Sequence, residues 1–336
     1  MNFQRHDIPF PDITENSLND TERHRRCVNH FFGYNAPMQK MTASDWLILF
    51  ILSVLWGGAF MFAGIALREL PPFTIVALRV SIAAVILNLI IFLTGRRYSI
   101  SWKMAGNLLL MGFMNNAIPF SLIVWSQTRI TAGQASILNA TTPIFTIILA
   151  HYLTGDEKIT VNRMVGILMG LAGVIVLIGP GVFGKTGFNP LPQLAVLGAG
   201  LAYSLSGIFG KRFGKAGMDP ILISGGQLIG SSLILLPLAL IIDKPWNFPW
   251  PSVQPVLAIL GLAVFSTALA YILYFRVLKR AGAGNVLLVT MIIPFVAIFL
   301  GAAVLGETLH IRELGALLIL VAGLLVIDGR VLGRKK

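Results

Sequence analysis

The sequence predicts an all-α, polytopic membrane protein with about ten transmembrane helices, arranged as two inverted five-helix repeats. Three observations predict it. Only 12% of the residues are charged while 56% are apolar, against about a quarter charged in a soluble domain, and no single core could shield so much apolar surface from water. Apolar runs of about 20 residues, the length that crosses ~30 Å of hydrocarbon at ~1.5 Å per residue, recur about ten times. The chain also echoes itself 151 residues apart: Arg129, Ala132, Gly133, Pro143 and Gly155 return as Arg280, Ala283, Gly284, Pro294 and Gly306. A long repeat with proline inside an apolar run marks a duplicated membrane unit.

In chain order the spans are placed at 46–66, 72–94, 104–126, 131–153 and 162–179, then 194–211, 219–242, 253–275, 283–304 and 311–328. The third and fourth are parted only by the turn Ser126–Thr131. The domain boundaries follow: a polar, disordered cytoplasmic tail over 1–43, a first repeat over 44–179, a Gly/Pro linker over 180–192, a second repeat over 193–330 and a basic tail over 331–336. Five spans per repeat is an odd number, so the second copy must insert upside down relative to the first.

Charge orients the bundle. With the N-terminus inside, the inner segments carry Arg96, Arg97, Lys103, Lys158, Arg163, Lys211, Arg212, Lys215, Arg276, Lys279, Arg280, Arg330, Arg334, Lys335 and Lys336. The opposite side holds only Arg68, Arg129, Lys185, Lys244 and Arg312, a positive-inside bias that puts both termini in the cytoplasm. Trp46 and Trp102 mark the inner interface and Trp125, Trp246 and Trp250 the outer one. The formal charge of +12 does not indicate nucleic acid: residues 1–40 sum to zero, and the excess sits in inner loops where topology explains it. The tail lacks the apolar core of a signal peptide, and Met38 or Met41 is an alternative start. Cys27, the only cysteine, excludes a disulfide within the chain.

Polar groups inside the spans need a reason. Pro143 and Pro294 each lie about twelve residues into a helix, roughly 18 Å and so near the midplane. Each frees the carbonyl four residues earlier, on Asn139 and Thr290, so both prolines are candidate hinges beside polar side chains, like the discontinuous helices that line transport sites. A packing kink is the plainer alternative. One span earlier, Asn116 and Phe120 correspond to Thr267 and Tyr271, each pair sharing a helix face. They fit a cavity for a ring-bearing or amphiphilic solute, or else interhelical hydrogen bonds with aromatic packing. Trp56 lies ~15 Å deeper than Trp46 and opens the stretch Trp56–Phe60, whose glycines allow close helix approach. Tyr203, Ser204 and Ser206 occupy a similar place in the sixth span. Arg79, whose counterpart is Gln227, is the only strong charge well inside a span. It either holds a carboxylate or phosphate of the solute or ties neighbouring helix ends. The candidate binding set is therefore Trp56, Phe60, Arg79, Asn116, Phe120, Asn139, Tyr203, Ser206, Thr267, Tyr271 and Thr290.

Absences narrow the function classes. Every Asp and Glu outside the tail lies near a span end, so coupling through a deep carboxylate is unsupported. His151 and His310 lie near opposite membrane faces and cannot share a metal. No nucleophile–base set converges and no phosphate-cradling loop follows a strand, so no enzyme activity, metal or cofactor is expected. Gly166/Gly170 and Gly226/Gly230 are helix-packing signals and candidate homodimer contacts.

Taken together, "WGGAF" at Trp56–Phe60, "PPFTIVALR" ending at Arg79, "TTPIF" around Pro143, and the repeat endings "LTGDE" and "LGE" around Gly155 and Gly306 resemble the drug/metabolite transporter superfamily, in particular its EamA-type transporters. The resemblance covers about residues 44–330, with an Asp intervening between Gly155 and Glu157. It implies alternating-access movement of a small metabolite, often an amino acid or relative, across a bacterial inner membrane, with export more frequent than uptake. The partners it implies are a small-molecule substrate and the lipid bilayer. A lipid-linked or nucleotide-sugar translocator of the same superfamily is the second expectation. A membrane-embedded lipid-modifying enzyme is the third.

Overall fold

A computed structural model describes residues 41–98, 101–154, 158–179, 189–281 and 283–329. The tail with Cys27 and Met38, the linker residues 180–188 with Lys185, the stretch Gly155–Glu157 and residues 330–336 lie outside the described residues. Within them the chain forms ten helices: α1 (Ala43–Ala66), α2 (Pro72–Leu93), α3 (Trp102–Ser126), α4 (Ala132–Leu153), α5 (Val161–Ile178), α6 (Leu191–Lys215), α7 (Pro220–Ile242), α8 (Val253–Ala281), α9 (Ala283–Leu305) and α10 (Ile311–Asp328). The first nine are long and apolar enough to cross a membrane. The last, 18 residues long, carries Arg312, Glu313 and Asp328 and is disqualified by charge rather than length.

Local chemistry sets the helix starts. Thr42 and Asp45 form a reciprocal capping box before α1, and the hydroxyls of Ser101, Thr131 and Thr160 accept backbone N–H groups at the starts of α3, α4 and α5. Proline opens α2 and α7, where its missing N–H costs nothing.

Helix pairing shows the inverted repeat directly. α1 and α9 run parallel, Gly57 facing Val296 and Gly64 facing Leu305; their counterparts α6 and α4 are also parallel, with the Ser204 hydroxyl donating to Thr142 O and bonding Thr146 Oγ1, each at 3.0 Å. α1 crosses α8 antiparallel, with Gly261 against Phe62 and Ser266 Oγ donating to Leu55 O at 2.7 Å. α6 crosses α3 likewise, through Ser126 Oγ to Pro192 O and Ser206 Oγ to Asn115 Oδ1. The self-paired helices α2/α7 and α5/α10 are antiparallel, as a two-fold axis perpendicular to the helices requires.

The end of the bundle where α1 begins is called proximal here. α2 and α7 are clasped at both ends, by Thr74 donating to Asp243 distally and by an Arg96–Asp219 ion pair at 3.4 Å proximally. Gly166 and Gly173 seat α5 on α10, and Gly226 and Gly230 seat α7 on Leu108 and Leu109 of α3. Gly166, Gly170, Gly226 and Gly230, which the sequence offers as packing glycines, each lie against other helices of this chain. Small residues are what allow such close approach in lipid, where packing replaces the hydrophobic drive.

Candidate functional site

Three helices contain π turns among the described residues. π turns interrupt α3 at Phe113–Ala117 and α8 at Val264–Leu269, and one ends α9 at Gly301–Leu305. The first two fall at equivalent repeat positions. A π turn inserts one extra residue, which rotates the following side chains and leaves backbone groups to find new partners. In α8 the Thr267 hydroxyl supplies one, donating to Leu262 O at 2.8 Å.

Between the two repeats lies a cavity of about 410 Å³, within the range of small-ligand sites. Trp56 and Phe60 of α1, Arg79 of α2, Phe120 of α3, Asn139 of α4, Tyr203 and Ser206 of α6, Thr267 and Tyr271 of α8 and Thr290 of α9 all border it. Asn116 does not. It is fully buried behind the wall, its Oδ1 accepting the Tyr271 hydroxyl at 2.7 Å and its Nδ2 donating to Ser231 Oγ at 3.4 Å. The π turn brings its neighbour Asn115 to the wall instead, where Nδ2 donates to Gln227 Oε1 at 3.2 Å and to Tyr271 Oη at 3.3 Å. Pairing Asn116 with Phe120 by α-helical spacing thus selects a residue of the supporting network rather than of the surface.

Aromatic rings make most of the remaining wall. Phe120 meets Tyr203 edge-on at 6.4 Å, Tyr271 stacks on Phe275 at 6.5 Å, and Trp56 lies 5.6 Å from Tyr274. Tyr274 and Phe275 escaped the sequence reading, although continuing the Thr267–Tyr271 face by one turn reaches both. Gln127, Thr142, Thr146 and Ser266 also border the cavity and were not singled out. The distal wall contains Ala63 and Val124, 2% and 1% exposed, with Gln127 Nε2 donating to Phe60 O at 2.9 Å. Proximally the wall includes the partly buried Ile208, Phe275 and Leu278 beside buried Phe213.

The two hinge prolines differ. α4 is broken: Ala132–Asn139 ends, and a new helix starts at Thr142 with Pro143 in its first turn. The carbonyl that Pro143 leaves free, on Asn139, accepts the Thr142 hydroxyl at 2.7 Å. The Asn139 side-chain Oδ1 is buried with no hydrogen-bond partner among the described residues. Pro294 by contrast sits inside an unbroken helix, Ala283–Leu300. This corrects the expectation of two midplane breaks. Membrane helices carry interior prolines where neighbours pack closely around them, and Gly57 of α1 lies against Val296 and the carbonyl of Ile293 there.

The ending Gly306–Glu307 also has a place. Gly306 is left-handed at φ 73°, and the Glu307 carboxylate accepts the N–H groups of Ala132 at 2.7 Å and Gly133 at 3.3 Å, capping the start of α4 across the repeat boundary.

An all-helical, multi-pass bundle whose inverted halves enclose one central cavity is the architecture of a membrane transporter. Residues 44–179 and 191–328, one stretch per repeat, each match the EamA-like transporter family, and the chain belongs to that family. Among its relatives, the uncharacterized transporter YoaV of Bacillus subtilis (strain 168) is 27% identical over 276 residues, covering 81% of this chain and 94% of that protein. The uncharacterized inner membrane transporter YedA of Escherichia coli (strain K12) is 24% identical over 282 residues, covering 83% and 89%. A solved crystal structure at 20% identity superposes with a TM-score of 0.62 over 88% of this chain and all of that one, which shows the shared fold.

Proposed function

We propose that the protein is a secondary transporter that exports a small amphiphilic metabolite, an amino acid or a relative, across a bacterial inner membrane by alternating access. The observation that carries this reading is the cavity: it lies at the repeat interface, is walled by aromatic rings, and takes polar groups from both halves near the helix midpoints. The positive-inside bias puts the proximal face and both termini in the cytoplasm. On that orientation, the buried Ala63 and Val124 at the distal end of the wall support an inward-facing reading.

Asn139→Ala and Tyr271→Ala test the reading. Because Asn139 Oδ1 has no hydrogen-bond partner among the described residues, its removal breaks no bond there. Comparing metabolites in cells with and without the protein first supplies the solute. In reconstituted vesicles, with flux normalised to the protein incorporated, each variant is then expected to carry it about 10-fold more slowly, the equivalent of one hydrogen bond of about 1.4 kcal/mol. Asn139→Ala is expected at unchanged membrane abundance, whereas Tyr271→Ala also breaks the bond to Asn116. Wild-type flux from both variants would sink the assignment of this cavity as the pathway.

A further inference from the structure

Arg79 sits about a third of the way along α2, 7% exposed, and lines the cavity. Its Nε donates to Thr267 Oγ1 at 2.9 Å, and its guanidinium carbon lies 3.7 Å from the centre of the Phe120 ring. Among the described residues that is its only hydrogen bond, and no carboxylate lies within ion-pair distance of it. The cavity wall contains no Asp or Glu among the described residues. The side chain therefore does not tie down helix-end carbonyls, which was the structural role open to it from the sequence. Its two terminal nitrogens are left to the cavity. A desolvated cation without a counter-charge is costly, and an arginine fork is shaped for two parallel bonds to a carboxylate.

The internal duplication supplies a control within the same molecule. The repeat counterparts of Arg79, Thr267 and Phe120 are Gln227, Asn116 and Tyr271. There the constellation closes on itself through neutral bonds, with Asn115 donating to Gln227, Tyr271 to Asn116, and Asn116 to Ser231. One half is thus a satisfied scaffold, and the other keeps an open cation.

Resting on the transport reading above, we propose that the solute carries a carboxylate and that Arg79 holds it through its terminal nitrogens, with the solute's apolar part against the aromatic wall. Arg79 is the positive charge beside the aromatic rings, and one carboxylate balances it; Lys211 also borders the cavity, from the later part of α6. A phosphate monoester, at about −1.5 to −2 at neutral pH, would carry more charge than Arg79 alone balances.

Equilibrium binding to the purified full-length protein in detergent tests this with three matched probes: 3-phenylpropionate, its uncharged amide and phenyl phosphate. The wild type is expected to bind the carboxylate about 30-fold or more tightly than the amide, the loss that follows removal of one partner of a buried charge pair. Arg79→Gln, which installs the residue of the other repeat, is expected to abolish that preference. Arg79→Lys, which keeps the charge, is expected to retain only part of it, because an ammonium cannot bond a carboxylate in the paired geometry. Equal binding of acid and amide by the wild type, no binding of the acid, tighter binding of phenyl phosphate, or an unchanged preference in either variant overturns the proposal. The wild-type comparison needs no variant to fold. Failure here leaves the flux result for Asn139→Ala standing, and normal flux in that variant would leave the acid–amide preference standing, so the two readings fail separately.

Discussion

Tyr271 is held by a side chain that never touches the cavity. Its hydroxyl donates to Asn116 at 2.7 Å, and Asn116 is fully buried. Removing one member leaves the other unsatisfied in a water-poor interior, at a cost of about 1–3 kcal/mol. Removing both leaves neither member of that bond unpaired, and the longer contacts of Asn115 to Tyr271 and of Asn116 to Ser231 are lost in the single changes as well. Asn116→Ala is therefore expected to lower the thermal midpoint of the purified protein. Combining it with Tyr271→Phe should cost less than the two single changes added together, by about 0.5–3 kcal/mol, and strict additivity would show that the bond carries no energy. Residue types at repeat-equivalent positions were readable from the chain because a polar or aromatic group deep in an apolar run stands out without any structure. Whether Asn115 or Asn116 faces the cavity was not readable, because the π turn that decides it depends on packing against α7.

At the scale of the helix, the glycines separate into contacts and spacers. A Cβ at Gly112 of α3 would collide with the carbonyl of Gln227 on α7, whereas one at Gly106, a turn and a half earlier, meets nothing within 4 Å. Gly112→Ala is expected to push the two helices apart at about 1–3 kcal/mol, seen as a lower thermal midpoint and lower membrane abundance. Gly106→Ala should instead raise the midpoint slightly, by about 0.5–1 kcal/mol of helix propensity. Equal effects would mean that the α3–α7 contact is not tight. The two prolines make the same point about elements. Pro143 starts a new helix and Pro294 is carried inside one, although both look alike in sequence. Alanine at Pro143 is accordingly expected to slow flux more than alanine at Pro294.

The whole molecule has two tests that need no knowledge of the solute. Cys27 is the only cysteine and precedes α1, so a membrane-impermeant maleimide should label it in inside-out vesicles and not in intact right-side-out ones. Labelling from the outside would invert the proposed orientation and with it the assignment of an inward-facing state. The second test concerns the distal end, where Glu69 accepts the N–H and hydroxyl of Ser252, each at 2.6 Å, joining the loop after α1 to the start of α8. These bonds favour the ionised carboxyl and hold its pKa below the ordinary value of 4.5. The stability they supply is therefore present above about pH 4.5 and is lost as pH falls through the lower, folded-state value. The thermal midpoint of the wild type should exceed that of Glu69→Gln near neutral pH, and the gap should shrink below about pH 4.5. A gap independent of pH would mean that the carboxylate's charge plays no part.

What the sequence determined by itself is the solvent, the span pattern and the symmetry. Hydropathy, charge and an odd number of spans per repeat are local or additive properties, and they place ten helices within a few residues of where they lie, apart from later ends for α6 and α8. Tertiary structure alone decided which proline breaks its helix, which asparagine reaches the wall and what Arg79 bonds. Each of those depends on side chains brought together from helices up to about 190 residues apart, as Arg79 and Thr267 are, and no local pattern records what a distant helix will present.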